Sequence, residues 1–195
     1  MIKNLVDLNR IKEKGLKSIF PDKMKISVGM ATCGLATGSQ EVYDELQAGI
    51  ERNKLEAVLS RTGCLGFCQK EPLVDISIPG MPRLIYKETI GNKIKQLIAA
   101  LVQEKVEKDY LLCKFQEETL IDKVIKRYYS SKLNGSLNDV PLYQNVPFFT
   151  KQKKIVLRNC GFINPDSIEE YIARGGYFSL YKVLSELSEE QVIED

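Results

Sequence analysis

The sequence predicts an α/β fold, and three observations support this class. Short apolar runs of strand type are interleaved with longer segments whose apolar residues recur at helical spacing. Proline, glycine and helix-capping residues separate these segments, as they do at the ends of regular elements. The chain of 195 residues is 44% hydrophobic and 28% charged, which is globular composition with room for one ordinary domain and a second small unit.

The first hundred residues predict a lead-in helix and then the order strand, helix, strand, strand, strand, helix. The lead-in helix covers residues 4–20, and the strands cover residues 25–30, 55–61, 73–78 and 83–86. Thr37 and Gln40 form a capping-box pattern before one later helix, and Thr89 is a predicted N-cap for the other. This order is typical of a thioredoxin-like α/β sandwich, in which the loops after the first two strands lie at the same end of the sheet.

The remaining residues predict a polar connection and then a small, mostly helical unit. The elements expected here are a charged helix at 103–122, a linker or extended arm at 130–145, a short strand at 153–157, a helix from Asn164-Pro165-Asp166 to Gly175-Gly176, a helix at 177–187, and a further helix from the capping-box residues Ser188 and Gln191. A helix that begins so close to residue 195 suggests a module of a longer protein. We divide the chain into a lead-in helix (1–22), a thioredoxin-like domain (23–103), a helix and linker (104–146) and a terminal unit (147–195).

The composition excludes several classes of function. The chain has no histidine, which removes the commonest general base and the histidine-containing zinc and haem sites. Neither Gly-x-x-x-x-Gly-Lys-Ser/Thr nor Gly-x-Gly-x-x-Gly occurs, so no phosphate-binding loop is predicted. A net charge of +2 is too small to indicate nucleic acid. The apolar runs are short and the first twenty residues lack a secretory core, so we expect a cytoplasmic protein with no direct membrane insertion.

The cysteines are the candidate functional residues. They number five, which is odd, so reduced thiols and metal ligands are favoured over a disulfide framework. Cys64 and Cys68 flank Gly66 on one loop, and Cys33 follows the neighbouring strand. Three thiolates could serve an iron–sulfur cluster, which normally has four cysteine ligands. A structural zinc site has the same deficit, and a redox pair is disfavoured because Cys64 and Cys68 do not form a Cys-x-x-Cys motif.

Two sequence blocks resemble one family. The stretch VGMATCGLATGSQEVYDEL, with TGCLGFCQKEPLVDISIPGMPRLIY after it, resembles the thioredoxin-like [2Fe–2S] ferredoxin domain at the amino terminus of NADH-binding flavoprotein subunits. Such subunits occur in NAD-linked hydrogenases, formate dehydrogenases and complex-I-like enzymes. The stretch VPFFTKQKKIVLRNCGFINPDSIEEYIARGGYFSLYKVLSELSEEQVIED resembles the segment that leads into their flavin-binding core.

The resemblance implies a ligand set and a setting. Cys33, Cys64 and Cys68 match three of the four ligands of a [2Fe–2S] cluster, whereas Val28 stands where the family has its other cysteine. The residues that bind FMN and NADH in the parent enzyme have no counterpart here, so no catalytic site is complete within residues 1–195. The implied partners are other subunits of a multi-subunit redox complex.

These observations give a leading function and an alternative. The first is an electron-transfer or docking module of an NADH-dependent oxidoreductase, with a fourth cluster ligand from solvent, backbone, another chain or an unrecognised side chain. The alternative is a cluster-free, degenerate ferredoxin-like domain that serves subunit assembly. A weaker possibility is a free-standing thiol or metal-binding protein.

The two remaining cysteines, an aromatic pair and a basic cluster are also assigned expected environments. Cys113 is expected to be a surface or half-buried thiol on a helix, and Cys160 a packed one. Phe148 and Phe149 are either a local staple or, preferably, a docking spot for a missing domain. The basic cluster of residues 151–154 and Arg158 is expected to be solvated.

Overall fold

The computed structural model describes residues 4–119, 125–127 and 137–194. The elements in chain order are α1 (Leu5–Ile19), β1 (Met24–Gly29), α2 (Thr32–Ala36), α3 (Ser39–Asn53), β2 (Ala57–Thr62), β3 (Val74–Ser77), β4 (Arg83–Tyr86), α4 (Asn92–Val102), β5 (Leu111–Phe115), β6 (Glu117–Thr119), β7 (Ile125–Arg127), α5 (Ile168–Ala173), α6 (Phe178–Glu186) and α7 (Glu189–Glu194). Among these described residues, none of the helices has the length and apolar character needed to cross a membrane.

The main sheet has the strand order β2-β1-β3-β4-β5. Strand β1 pairs with β2 in parallel, and β3, β4 and β5 continue the sheet with antiparallel pairs. The carboxyl ends of the parallel strands β1 and β2 therefore meet at one edge, which brings both cysteine-containing loops to that edge. The predicted α/β fold with its thioredoxin-like order of elements is confirmed.

The helix predicted over residues 103–122 is wrong, because this region contains the edge strand β5 and the short strand β6. Residues of β5 alternate between buried and half-buried positions, with Leu111, Cys113 and Phe115 facing inward. The strand hydrogen-bonds to β4, so tertiary pairing outweighs the helical character of the surrounding charged residues.

One face of the sheet is covered by α3 and α4. Val28 on β1, Val42 and Leu46 on α3, and Leu97 on α4 are fully buried in this core. Gly49 of α3 permits a close approach to α4, because a Cβ at this position would lie 2.9 Å from Ile98 Cδ1.

The opposite face is covered by residues 143–163, which pack on Leu73, Ile85 and Cys113 of the sheet. Of the predicted linker, residues 130–136 lie outside the described residues. The described remainder packs against the main core through buried Leu137 and Val140, rather than forming an extended arm.

Two local predictions differ from the structure, one for a strand and one for a helix cap. The strand predicted at 153–157 is wrong. These residues form an irregular segment that leads into a turn, and the side chains of Ile155, Val156 and Leu157 are exposed. Helix α3 has Gly38 as its N-cap, and the Thr37 hydroxyl instead donates to the carbonyl oxygens of Cys33 and Gly34, at 2.9 and 3.1 Å.

Two further caps can be compared with the structure. The N-cap of α4 is Gly91, while the Thr89 hydroxyl donates to Pro72 O. The capping box before α7 is confirmed, because Ser188 N donates to Gln191 Oε1 at 2.9 Å and Gln191 N donates to Ser188 Oγ at 3.3 Å.

Helix α1 packs directly on α5, which joins the first helix of the chain to the terminal unit. Lys14 Nζ on α1 lies 2.8 Å from Glu169 Oε1 on α5. At Gly15 the two backbones approach so closely that a Cβ would overlap the carbonyl oxygen of Glu169. A glycine is required here by space and not by backbone conformation.

Replacing Gly15 with alanine is expected to lower the free energy of unfolding by about 1–3 kcal/mol, because the rigid backbone of α5 must shift. The loss occurs although alanine favours a helix over glycine by about 1 kcal/mol. Gly49→Ala is the matched control, since the nearest atoms to its new Cβ are side-chain atoms of Ile98, at 2.9–3.2 Å, and not backbone, and the helix gain offsets the contact. Urea unfolding of both variants measures the difference. Equal stability of the two would contradict this account of the α1–α5 contact.

Candidate metal centre

Three thiols meet at the edge of the sheet where β1 and β2 end. Cys33 lies in α2, just after β1, and Cys64 and Cys68 lie in the loop after β2. The Sγ atoms of Cys64 and Cys68 are 3.9 Å apart. The Cys33 thiol lies near Cys68, close enough for Cys68 to raise its pKa. The structure therefore brings together the three residues that the sequence predicted as metal ligands.

Glycines shape both cysteine loops. Gly66 has a φ of 93°, in the left-handed region that favours glycine, and its N–H donates to Cys64 Sγ at 3.2 Å. On the other loop, Gly34 packs on the end of β1 so closely that a Cβ would overlap Gly29 O. The first contact directs a backbone donor at a sulfur, and the second holds Cys33 against the strand end.

The electrostatic environment keeps the Cys33 and Cys64 thiols protonated in the absence of a metal. Interaction with the neighbouring Cys68 raises the pKa of Cys33, and repulsion from Glu71 adds to the effect. Burial raises the pKa of Cys64, against the opposing influence of the Gly66 N–H. Binding of a metal would have to displace these protons, since the thiolate is the ligand form.

Two sequence positions do not contribute donors to this edge. Val28 is fully buried in the apolar core beneath α3 and α4. Cys113 is fully buried in β5, where burial raises its pKa to about 12. The expectation of a surface or half-buried thiol on a helix is therefore wrong for Cys113, which serves as an apolar core residue.

The sequence did not predict that residues 154–161 would pack on the cysteine loop. Cys160 Sγ lies 3.8 Å from the position that a Cβ on Gly63 would occupy, and Gly161 fits closely on Leu65. Lys154 Nζ donates to Leu65 O and lies 5.5 Å from the Phe149 ring centroid. Burial lowers the Lys154 pKa, while Cys160 and Cys64 oppose this shift. The prediction of a solvated basic cluster is therefore wrong at Lys154.

Phe67 connects the same loop to the aromatic pair. Its ring stacks on Phe148 at 4.1 Å between centroids and meets the edge of Phe149 at 5.5 Å. Phe149 is buried, whereas Phe148 is 43% exposed to solvent. Phe149 is therefore covered within the chain by Phe67, whereas docking of a missing domain on the exposed side of Phe148 stays a prediction.

Glu71 is a buried acid beside the three thiols, and no sequence pattern singled it out. It lies three residues after Cys68, and only 6% of the residue is exposed. Its Oε2 accepts the Leu73 N–H at 2.7 Å, whereas its Oε1 is buried without a hydrogen-bond partner among the described residues. Burial raises the pKa of this carboxyl group.

The three thiols at this edge are donors of the type that iron–sulfur clusters use. In the described part of the chain, no group of three or more Cys, Asp or Glu side chains is arranged to hold one ion. A [2Fe–2S] cluster distributes its ligands over two irons, and it takes thiolates as its usual donors. The three thiols fit such a cluster in kind, with one thiolate fewer than usual.

Comparisons with known proteins give relatives for parts of the chain. No protein-family profile matches it. It is 28% identical over 83 residues to the NADP-reducing hydrogenase subunit HndB of Solidesulfovibrio fructosivorans, across 42% of this chain and 66% of that subunit. It is 60% identical over 35 residues to subunit HndC of the same organism, across 18% of this chain and 7% of that subunit.

A solved structure is also similar to this chain. The thioredoxin-like [2Fe–2S] ferredoxin from Aquifex aeolicus aligns with a TM-score of 0.41 and 16% identity, over 48% of this chain and 93% of that one. The chain spans 66% of the length of HndB and a small part of HndC. It is thus related in sequence to subunits of an NADP-reducing hydrogenase, which confirms the resemblance to hydrogenase-type subunits predicted from its motifs.

Proposed function

We propose that this chain is an electron-transfer module of a hydrogenase-type oxidoreductase and holds a [2Fe–2S] cluster on Cys33, Cys64 and Cys68. The observation that supports this most is the convergence of the three thiols at one sheet edge, with Cys64 and Cys68 Sγ atoms 3.9 Å apart. The relation to hydrogenase subunits supports the oxidoreductase setting. A bound cluster of this kind supplies one-electron transfer.

The residues around the thiols have distinct tasks in this proposal. Cys64 and Cys68 hold one side of the site from a single loop, and Cys33 holds the other from α2. The Gly66 N–H donates to Cys64 Sγ, which stabilises negative charge on that sulfur. Hydrogen bonds to the sulfurs and burial are among the factors that set the potential of such a centre.

The setting proposed for the module is a multi-subunit redox complex in the cytoplasm. HndB and HndC are each named as subunits of an NADP-reducing hydrogenase, so other subunits are the proposed partners. In this proposal FMN and NADH belong to the parent enzyme and are bound by residues outside this chain.

Iron and acid-labile sulfide analysis of anaerobically purified protein, with EPR after dithionite reduction, tests the proposal. We expect about two irons per chain and a reduced [2Fe–2S] signal. Cys33→Ser and Cys68→Ser should each abolish the signal, because each removes one of only three thiolates. Cys113→Ala is the control and should keep the signal, because Cys113 is buried in β5. Unchanged spectra in both serine variants would refute the ligand assignment.

The alternative function is a cluster-free domain that serves subunit assembly. The observation that favours it is Val28, whose apolar side chain fills the core at the family's remaining ligand position. This alternative predicts protein with no iron or sulfide even under strict anaerobic handling, and subunit association that does not depend on iron.

A further inference from the structure

Glu71 has a buried oxygen that the fold itself does not satisfy. Its Oε1 has no hydrogen-bond partner among the described residues, although 94% of the residue is buried. Leaving a buried acceptor unpaired costs about 1–3 kcal/mol, and more when the group is charged. Such a group in a native fold calls for an explanation, such as an ion, a bound water or a functional role.

The carboxyl group lies under both cysteine loops. Its oxygens are 3.2 and 3.3 Å from the position of a Cβ on Gly29, the last residue of β1. Gly29 O in turn contacts Gly34, the neighbour of Cys33. Glu71 also lines a small cavity with Gly29 and Gly63, the residue before Cys64. The acid is therefore placed between the ends of the two strands that present the thiols.

The orientation of the carboxyl group is fixed by one backbone contact. Leu73 N donates to Oε2 at 2.7 Å, which leaves Oε1 available for a second partner.

We propose that Glu71 supplies the fourth ligand of the cluster, an oxygen that replaces the missing thiolate. This inference rests on the proposed function, since it requires a cluster on Cys33, Cys64 and Cys68. Carboxylate oxygen is a regular metal ligand in proteins, and non-cysteine ligands occur in [2Fe–2S] centres with altered potentials. Oε1 would bind the iron while the Leu73 N–H holds Oε2 in place.

Two competing arrangements make the test specific. The cavity beside Glu71 measures about 20 Å³, which is room for one water that could satisfy Oε1 instead. Cys160 is the other nearby thiol, packed on Gly63 of the cysteine loop. A water-bound Glu71 would have a structural role only, and a Cys160 ligand would make the carboxylate dispensable.

The experiment compares four forms of the full chain: wild type, Glu71→Gln, Glu71→Cys and Cys160→Ala. Glutamine keeps an acceptor for the Leu73 N–H but removes the anionic ligand. We expect Glu71→Gln to lower iron affinity at least tenfold, in line with the 10–100-fold effects of altering metal-site ligand environments. Glu71→Cys should restore iron binding, with EPR g values that differ from those of the wild type. Its Mössbauer isomer shift should be lower than that of the wild type, because sulfur replaces oxygen at one iron. Cys160→Ala should retain the wild-type iron content and spectrum.

The outcomes separate this inference from the proposed function. Wild-type protein without iron would overturn both. Iron-loaded wild type with an unchanged Glu71→Gln spectrum would overturn the Glu71 assignment alone, and a simultaneous loss in Cys160→Ala would identify Cys160 as the ligand. The metal-free Glu71→Gln protein should unfold in urea at the wild-type midpoint or above it. A markedly lower midpoint together with normal iron binding would assign Glu71 a structural role and overturn the proposal.

Discussion

Replacing Arg83 with methionine is expected to lower the free energy of unfolding by about 3–5 kcal/mol, because removing one partner of a buried ion pair leaves the other charge uncompensated. Arg83 on β4 is 6% exposed and bonds to two buried carboxylates, Asp75 on β3 and Glu118 on β6. Its Nη2 also donates to Gly161 O at 3.0 Å. One guanidinium thus joins the sheet to the segment that covers it. Urea unfolding at pH 7 measures the loss.

Arg61→Met on β2 is the matched control. Arg61 is exposed, with its guanidinium carbon 5.2 Å from the Tyr43 ring centroid. An exposed cation–π contact contributes about 0.5–1 kcal/mol, so the control should lose no more than that. An Arg83→Met loss as small as the control's would show that the buried carboxylates adapt without their cation.

The same variant should show a dependence on pH. Burial raises the pKa of Asp75, and Arg83 opposes that shift, so removing Arg83 raises the pKa further. When the pKa of an acid is higher in the folded state than its unfolded value of about 3.9, the folded protein carries no penalty while the acid is protonated in both states. The free energy of unfolding then falls as the pH rises above the unfolded pKa. The deficit of Arg83→Met should therefore be small near pH 4 and grow toward pH 7.

Replacing Lys25 with methionine should cost a similar amount, about 3–5 kcal/mol. Lys25 Nζ on β1 lies 2.9 Å from Glu170 Oε1 on α5, and both side chains are buried. Glu170 also accepts the Ser18 hydroxyl at 2.7 Å and the Asn164 N–H at 2.6 Å. Its carboxylate therefore joins the end of α1, the sheet and the segment just before α5. Urea unfolding gives the loss, and hydrogen exchange should show faster opening of α1 and α5.

An exposed ion pair between the same two helices provides the control. Lys14→Ala removes the exposed partner of Glu169, and such surface pairs contribute about 0–1 kcal/mol. The double variant Lys25→Met/Glu170→Met removes both buried charges and should recover part of the single-variant loss. If the double variant loses more free energy of unfolding than Lys25→Met and Glu170→Met lose together, the uncompensated-charge explanation is ruled out.

The sequence predicted the parts of the fold that depend on local pattern. The strands around Ile26 and Leu59 and the cysteine loops after them follow from apolar runs and turn residues, and their shared edge follows from the parallel pairing of β1 with β2. The capping box at Ser188 depends only on residues three apart, and it forms as predicted.

The sequence did not reveal what depends on distant partners. Strand β5 has charged neighbours on both sides, and only its pairing with β4 identifies it as a strand. Lys25 and Glu170 are far apart in the chain, so nothing local indicates that each is buried and paired. Glu71 escaped notice for a related reason, because a glutamate before a proline resembles an ordinary turn until its burial is known.

The aromatic contacts of Phe67 have a consequence for how the chain acquires its fold during synthesis. Phe67 is made early, but its ring partners Phe148 and Phe149 leave the ribosome roughly eighty residues later, which at about 5–20 residues per second is a delay of several seconds. Until then, Leu73 and Ile85 lack the cover that Val146 and Phe149 later provide on this face of the sheet. The nascent chain therefore passes through a stage with an exposed apolar face, at which chaperones and premature self-association compete for it.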